Sequence, residues 1–394
     1  MDSLKKDFLE FQAKTTPHPL ALSVKKAKGS YITTTDNKKY LDFVAGVSAC
    51  SLGHRHPKVV AAIRKQTRKY LHVMVYGEFA QAPAVEFCKE LVELLPENQE
   101  RVYLTNSGTE AIEGALKLAK RATGRSKLIG AYASYHGSTH GALSLLGSEH
   151  QKKGYRPLLP DTNFIRFNDE KDLEKITAKT AAVLLETIQG GAGFILPEKE
   201  YLKKVQSQCK KVGALLILDE IQPGFGRTGK FFGFEHFDVQ PDIVVMGKGM
   251  GGGLPVGAFT ASRELMELLE NHPKLGHITT FGGNPVIAAA CLATLRELRD
   301  SKLIGEIPKK EALFRSELKH EKIKEIRGKG LMLAPLLKDP EQANQVVLKC
   351  MEHGLLLFWL LWEKRAVRIS PPLTISEKEI RKGCAILRQV LDTL

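Results

Sequence analysis

The chain reads as an α/β protein whose centre is a mostly parallel sheet covered by helices on both faces. Three observations predict this. From residue 101 onward, short apolar runs alternate with helical periodicities. The runs are continuous rather than alternating, as strands buried on both faces are. Glycines, acids and aromatic residues gather just after the runs, where ligands bind in open sheets of this kind.

The length, 394 residues, fits one oversized domain or two to three ordinary ones. With 43% hydrophobic residues the chain is globular rather than disordered. No apolar run approaches the roughly 20 residues that span a membrane. The N-terminus MDSLKKDFLEFQAK lacks a secretory apolar core, and Asp2, Asp7 and Glu10 argue against a transit peptide. Cys50, Cys88, Cys209, Cys291, Cys350 and Cys384 are scattered without a C-x-x-C, which fits free thiols in a reducing cytoplasm. The net charge of +14 raises nucleic acid as a partner. Yet the basic residues are spread out and often sit beside acids, as in Lys309-Lys310-Glu311, so the charge reads as solvated surface.

Residues 1–30 predict an amphipathic helix and an extended lead-in broken by Pro17 and Pro19. Residues 31–43 predict a hairpin turning at Asp36-Asn37. His54 and His56 lack the spacing of a metal site and belong to the loop before a helix opened by Pro57. Residues 83–95 predict another helix, closed by Pro96. Seven strands follow, at Val102–Thr105, Leu128–Tyr132, Phe164–Phe167, Ala182–Leu185, Leu215–Leu218, Ile243–Met246 and Ala258–Ala261, with helices over 109–122 and 198–211.

The residues after the strands carry the chemistry. Ser107 with Glu110 is a capping-box pattern, and Ser107, Gly108 and Thr109 also suit a phosphate at a helix N-terminus. Tyr135 and His136 follow the second strand, where a ring can stack on a flat cofactor or simply fill core. Glu186 follows the fourth strand. Asp219, then Ile221 and Gln222, follow the fifth; metal binding and helix capping compete there with a cationic partner for the carboxylate. Lys248 ends the sixth strand inside a glycine-rich stretch, MGKGMGGG. Desolvation there favours a nucleophilic amine suited to Schiff-base chemistry; a surface lysine in a loop is the alternative. The G-x-x-x-x-G-K-[ST] phosphate loop is absent. A phosphate cup, a stacking ring, a carboxylate and a lysine at one sheet edge together make the set a pyridoxal phosphate site needs, and no metal or Ser/His/Asp pattern competes with it.

The motifs LDF-x-x-G, GHRHP, TNSGTEA, YHG, ET-x-QG, LDEIQPGFGRTG, GKGMGGGLPVGA, TTFGGNP and RISPPLTIS follow one another in order, within a likeness that runs from about residue 17 to 375. In these the chain resembles the class III aminotransferases of fold type I, the acetylornithine, ornithine and 4-aminobutyrate aminotransferase group. The resemblance implies that Lys248 forms the Schiff base and carries the proton, and that Asp219 pairs with the pyridine nitrogen. It places Ile221 and Tyr135 on opposite faces of the ring, His136 among the cofactor residues, Gln222 near the phenolic oxygen, and Glu186 in support of Asp219. It gives the phosphate to Ser107, Gly108 and Thr109 and, across a homodimer, to Thr280. Arg368 is then a clamp for a substrate carboxylate, with a structural salt bridge as its alternative, and Tyr76 lies near the substrate.

Two positions depart from the ornithine and acetylornithine branch. Ser138 stands where that branch has an arginine for substrate carboxylate. Gly191 stands where it has a glutamate that pairs with the later arginine. A third, Thr187 for the family's proline, is expected to matter little. The sequence therefore leads to a cytoplasmic, dimeric, pyridoxal-phosphate-dependent aminotransferase with no nucleic-acid or membrane partner. Its donor is an omega-amino acid or acetylornithine-like amine, and its acceptor a keto acid such as 2-oxoglutarate or pyruvate. The alternative is an aminomutase or racemase on the same fold, needing no acceptor. Residues 46–280 are expected to form the large domain, and the two chain ends, 1–45 and 281–394, a smaller α+β domain.

Overall fold

The computed structural model describes residues 3–394; Met1 and Asp2, the latter one of the N-terminal acids noted above, lie outside the described residues. Seven strands form one sheet in the order Arg101–Thr105, Gly257–Ala261, Ile243–Gly247, Leu215–Asp219, Thr180–Glu186, Lys127–Ala131, Thr162–Ile165. Each coincides with a predicted strand to within two residues at either end. Gly257–Ala261 runs antiparallel to both of its neighbours, and the other pairs are parallel. The physical reason is the short stretch 248–256, which cannot hold the dozen or more residues of a parallel crossover.

Both faces of the sheet are buried, as continuous apolar runs require. Ala182 and Leu184 pack with Ile217, Val245 and Phe259 on one face, under Ala111, Ile112, Ala115 and Ala119 of the helix Gly108–Thr123. Val183 and Leu185 pack with Leu216, Leu218 and Met246 on the other, together with Leu202 and Val205 of the helix Tyr201–Val212. Alternate residues of one strand thus serve two cores, because side chains leave a strand on opposite faces. The predicted helix over 198–211 begins at Tyr201, and the one over 83–95 stops at Val92, before Pro96.

The hairpin turns at Asp36-Asn37 as expected, joining Tyr31–Thr34 to Lys39–Asp42. It extends into a second, four-stranded sheet with Val24–Lys28, and Leu355–Leu356 from the far end of the chain adds in parallel beside Lys39–Asp42. A two-stranded ribbon, Phe358–Trp359 with Val367–Arg368, follows at once and pairs Phe358 with Arg368. It is tied to the neighbouring hairpin Glu325–Lys329/Met332–Leu336, where Leu333 and Ile369 exchange backbone hydrogen bonds at 2.9 Å.

Candidate active site

The parallel register sets Glu186 beside Asp219, and the antiparallel register of the reversed strand sets Gly257 beside both Gly247 and Thr105. The strands therefore end along one edge, and the residues that follow them meet there. A Cβ at Gly257 would run into the Ser107 carbonyl, so the reversed strand brings the Lys248 and Ser107 turns together only because this position has no side chain.

Ser107 caps the helix, its Oγ accepting from Glu110 N at 3.3 Å. The reciprocal half of the predicted capping box is missing. The Glu110 carboxylate turns to Asn106 instead, accepting from its N at 2.7 Å and its Nδ2 at 2.9 Å, while Asn106 Nδ2 also donates to Thr279 Oγ1 at 2.7 Å. Asn106 wins because it can use both groups at once. The first N–H groups of the helix, at Gly108 and Thr109, point outward without intrahelical partners, as helix geometry dictates, and suit an anion. The loop after the second strand closes over them. Thr109 Oγ1 bonds Thr139 Oγ1 at 2.7 Å, and Gly137, at φ +128°, lies so close to Thr109 that a Cβ would collide with it.

Asp219 is 3% exposed. Its Oδ2 accepts from His136 Nδ1 at 2.8 Å and its Oδ1 from Ile221 N at 2.9 Å. His136 is buried, and its Nε2 has no partner among the described residues. Glu186 accepts from Gly190 N at 3.1 Å and Tyr135 N at 3.3 Å, and burial pushes its carboxyl up to about 7, with Asp219 adding to the rise. Tyr135 is partly exposed, its hydroxyl 3.3 Å from Ser138 Oγ. Ile221 packs against Gly108, where a Cβ would lie 2.6 Å from its Cδ1. Gln222 Nε2 donates to Ser48 Oγ at 3.4 Å, while its Oε1 lies against Gly190.

Lys248 opens a short 3-10 turn at φ +42°, a left-handed conformation that a lysine adopts only under tertiary constraint. Burial pushes its ammonium down to about 8; Arg368 adds to the fall, and Asp219 and Glu186 oppose it. No hydrogen bond to its Nζ forms among the described residues. Arg368, 5% exposed, is held down to about 10 by burial. Its guanidinium lies 5.5 Å from the Phe194 ring centroid, and its Nε and Nη1 are buried without partners. The structural salt bridge weighed as its alternative role is absent among the described residues.

Thr280 is exposed, while its neighbour Thr279 binds Asn106. Tyr76 lies, at φ +43°, with Tyr103, His277 and Thr279 in an open cleft along the edge strand Arg101–Thr105. The fold thus gathers Ser107, Gly108, Thr109, Tyr135, His136, Glu186, Asp219, Ile221, Gln222, Lys248 and Arg368 about one strand edge, and sets Thr280 and Tyr76 on its outer side.

Several residues of this region escaped the sequence reading. Glu220, fully buried, accepts from Gly233 N and Phe234 N, and burial pushes it up to about 7. Thr187, set aside as minor, donates to Glu220 Oε1 at 2.5 Å, and its N–H bonds Asp219 O at 3.2 Å. A proline there would supply neither donor. Arg227, fully buried and pushed down to about 9 by burial, reaches Leu331 O, Pro371 O and Ser51 Oγ, clamping three loops behind the site. Its place in GFGRTG was the available signal. His54 and His56, considered above for metal, have other work: His54 Nε2 lies 2.8 Å from Asp42 Oδ2, and His56 precedes the helix Pro57–Thr67.

These residues fit pyridoxal phosphate. The helix N-terminus offers N–H groups to a phosphate, Ile221 packs at that helix start, Asp219 is a buried carboxylate held by His136 and Ile221 N, and Lys248 has no hydrogen-bond partner among the described residues. Arg368 has donors for a second anion.

The comparison with known proteins agrees. Residues 11–391 match the family described as Aminotransferase class-III. The acetylornithine aminotransferase of Caldanaerobacter subterraneus is 39% identical over 384 residues, covering 94% of each chain. That of Bacillus subtilis is 37% identical, covering 94% of this chain and 95% of its own. The crystal structure of the ornithine aminotransferase from Toxoplasma gondii superimposes with a TM-score of 0.91 at 31% identity, covering 99% of this chain and 95% of that one. The chain therefore belongs to the class III aminotransferases and is a pyridoxal-phosphate-dependent enzyme that moves an amino group from a donor to a keto acid.

Proposed function

We propose that this enzyme takes its amino group from an omega-amino or acetylornithine-like donor and gives it to 2-oxoglutarate or pyruvate, working as a homodimer in the cytoplasm. The single observation that carries the substrate reading is Arg368, a buried guanidinium in the field of Lys248 whose Nε and Nη1 have no partner among the described residues. Such a group is costly unless a ligand pairs with it, and a carboxylate matches its fork. The named relatives, acetylornithine aminotransferases, favour that donor class. The substitutions at Ser138 and Gly191 leave the exact amine open to test.

Pyridoxal phosphate, when bound, supplies an electrophilic carbon and an electron-poor ring. Lys248 would hold the group through its amine and would move the proton at the amine-bearing carbon of the donor, as general base and acid. Its lowered pKa keeps a usable fraction of free amine near neutrality. Asp219, fixed by His136 and Ile221 N, presents negative charge to the ring nitrogen. Tyr135 and Ile221 would hold the ring, Gln222 its phenolic oxygen, and Ser107, Gly108 and Thr109 the phosphate. Glu186 steadies the loop at Tyr135 and Gly190. Thr280 reaches the phosphate of the partner subunit, and Tyr76 lines the substrate approach. In support, Leu71, Met74, Phe79, Ile278 and Phe281 are exposed apolar residues on the segments around Tyr76 and Thr280, an uncovered surface suited to a second copy of the chain. We divide the chain into a large domain, 46–280, and a small one from 1–45 and 281–394, on the strength of the strand Leu355–Leu356 that joins the N-terminal hairpin.

The test is the visible absorption spectrum of the cofactor-loaded enzyme. Acetylornithine, ornithine, 4-aminobutyrate, lysine, glutamate and alanine are added singly, followed by a keto acid. An omega-amine that bleaches the band, with 2-oxoglutarate or pyruvate restoring it, is the expected result. A band moved only by glutamate and alanine, or by no donor, overturns the donor assignment.

A further inference from the structure

The ribbon that carries Arg368 also carries Trp362 in its connecting loop. Trp362 packs on the Gly190–Phe194 segment: its backbone N–H donates to Gly191 O at 2.9 Å, and a Cβ at Gly191 would lie 2.9 Å from its Nε1 and 3.0 Å from its Cδ1. The indole therefore fills the space a side chain at position 191 would take. Gly190 faces Gln222 and Glu186, and Phe194 sits under the Arg368 guanidinium, so one short segment touches Glu186, the indole and the arginine. Trp362 Nε1 is buried without a hydrogen-bond partner. With Arg368 Nε and Nη1 it makes three orphaned donors on one ribbon and its loop, among nine buried unpaired side-chain atoms in the described residues. All three can only donate. Donors gathered without an acceptor call for an anion with several lone pairs, and no acidic side chain lies within ion-pair distance of the guanidinium among the described residues.

We propose that Trp362, seated against Gly191, is a specificity-determining residue that completes a carboxylate pocket with Arg368. The inference rests on the reading of Arg368 as the carboxylate clamp. An indole N–H adds a hydrogen bond but no charge, so Arg368 stays uncompensated and open to carboxylate in both half-reactions. The pocket takes compact carboxylates, and Glu186 acts on Arg368 only from beyond ion-pair distance.

The test is the binding of glutarate, a dicarboxylate without amino or keto group, to the holoenzyme by calorimetry, in wild type, Trp362→Phe, Gly191→Ala and Arg368→Lys. Trp362→Phe keeps the ring and loses the donor; it is expected to weaken glutarate about tenfold, the scale of one hydrogen bond to a charged group. It should raise the keto acid KM in step, with kcat, the cofactor absorption band and the melting temperature little changed. Gly191→Ala, which pushes on the indole, should act in the same direction and serves if the tryptophan variant folds poorly. Glutarate affinity unchanged in both variants, with Arg368→Lys impaired, overturns the role of Trp362 and leaves the clamp standing. Affinity unchanged in Arg368→Lys overturns the clamp itself.

Discussion

A guanidinium buried without a counter-charge destabilises the protein that holds it, and Arg368 is such a group. Its cost is offset only when an anion binds. Replacing it by methionine, of similar length and apolar, removes the uncompensated charge. We expect Arg368→Met to melt at or above the wild-type temperature while kcat/KM falls about 100-fold or more, the scale of two hydrogen bonds to a charged group. Thermal denaturation and steady-state kinetics on the same preparation check this, and a variant that loses stability and activity together would return Arg368 to a structural role. In the sequence, Arg368 stood between clamp and salt bridge, because RISPPL does not say what surrounds it. Lys248 and Asp219 were legible, since each ends a continuous apolar run.

At the scale of elements, close approach decides what the strand edge can hold. The helix Gly108–Thr123 meets Ile221 at Gly108, where a Cβ would fall 2.6 Å from Ile221 Cδ1. Gly108→Ala should displace Ile221, weaken cofactor affinity about tenfold and cost about 1–3 kcal/mol, the usual penalty for overpacking. Equilibrium dialysis of pyridoxal phosphate and urea denaturation measure the two effects, and unchanged affinity would detach Ile221 from the cofactor. A second element contact carries a pH dependence. His54, in the loop after the hairpin, has its pKa raised from 6.5 to about 10, by its hydrogen bond to Asp42 first and by Cys50 next. A group whose folded pKa is raised contributes fully below its unfolded value and loses the contribution as pH climbs through the folded one. Stability should therefore decline between pH 6.5 and about 10, and Asp42→Asn should flatten that decline. Urea midpoints across the range report it; parallel curves for the two proteins would rule the pair out as its source.

The whole molecule leaves an apolar band uncovered. Ile278 is 46% exposed and Phe281 56% exposed on the segment that carries Thr280. The ring of His72 packs on Phe281 at 4.8 Å between centroids, so residues 71–79 and 275–281 form one surface. On the proposed homodimer, Ile278→Asp should shift the enzyme to monomer and reduce its activity at least tenfold, since a charge buried at an apolar contact costs several kcal/mol. Light scattering after size-exclusion chromatography reads the mass, and a fully active monomer would separate Thr280 from the site.

The sequence by itself determined the seven strands, the helix that follows the first of them, and which chemistry-bearing residues stand at the strand ends. These depend on local signals: continuous apolar runs, a capping serine, and glycines where backbones crowd. Only the tertiary structure decided how the strands order, that Glu110 turns to Asn106, that Thr187 supports Glu220, and that Trp362 fills the space beside Gly191. Those outcomes depend on which distant atoms compete for one donor or one volume. Residues 191 and 362 are far apart along the chain, and no periodicity or motif in either stretch encodes their contact.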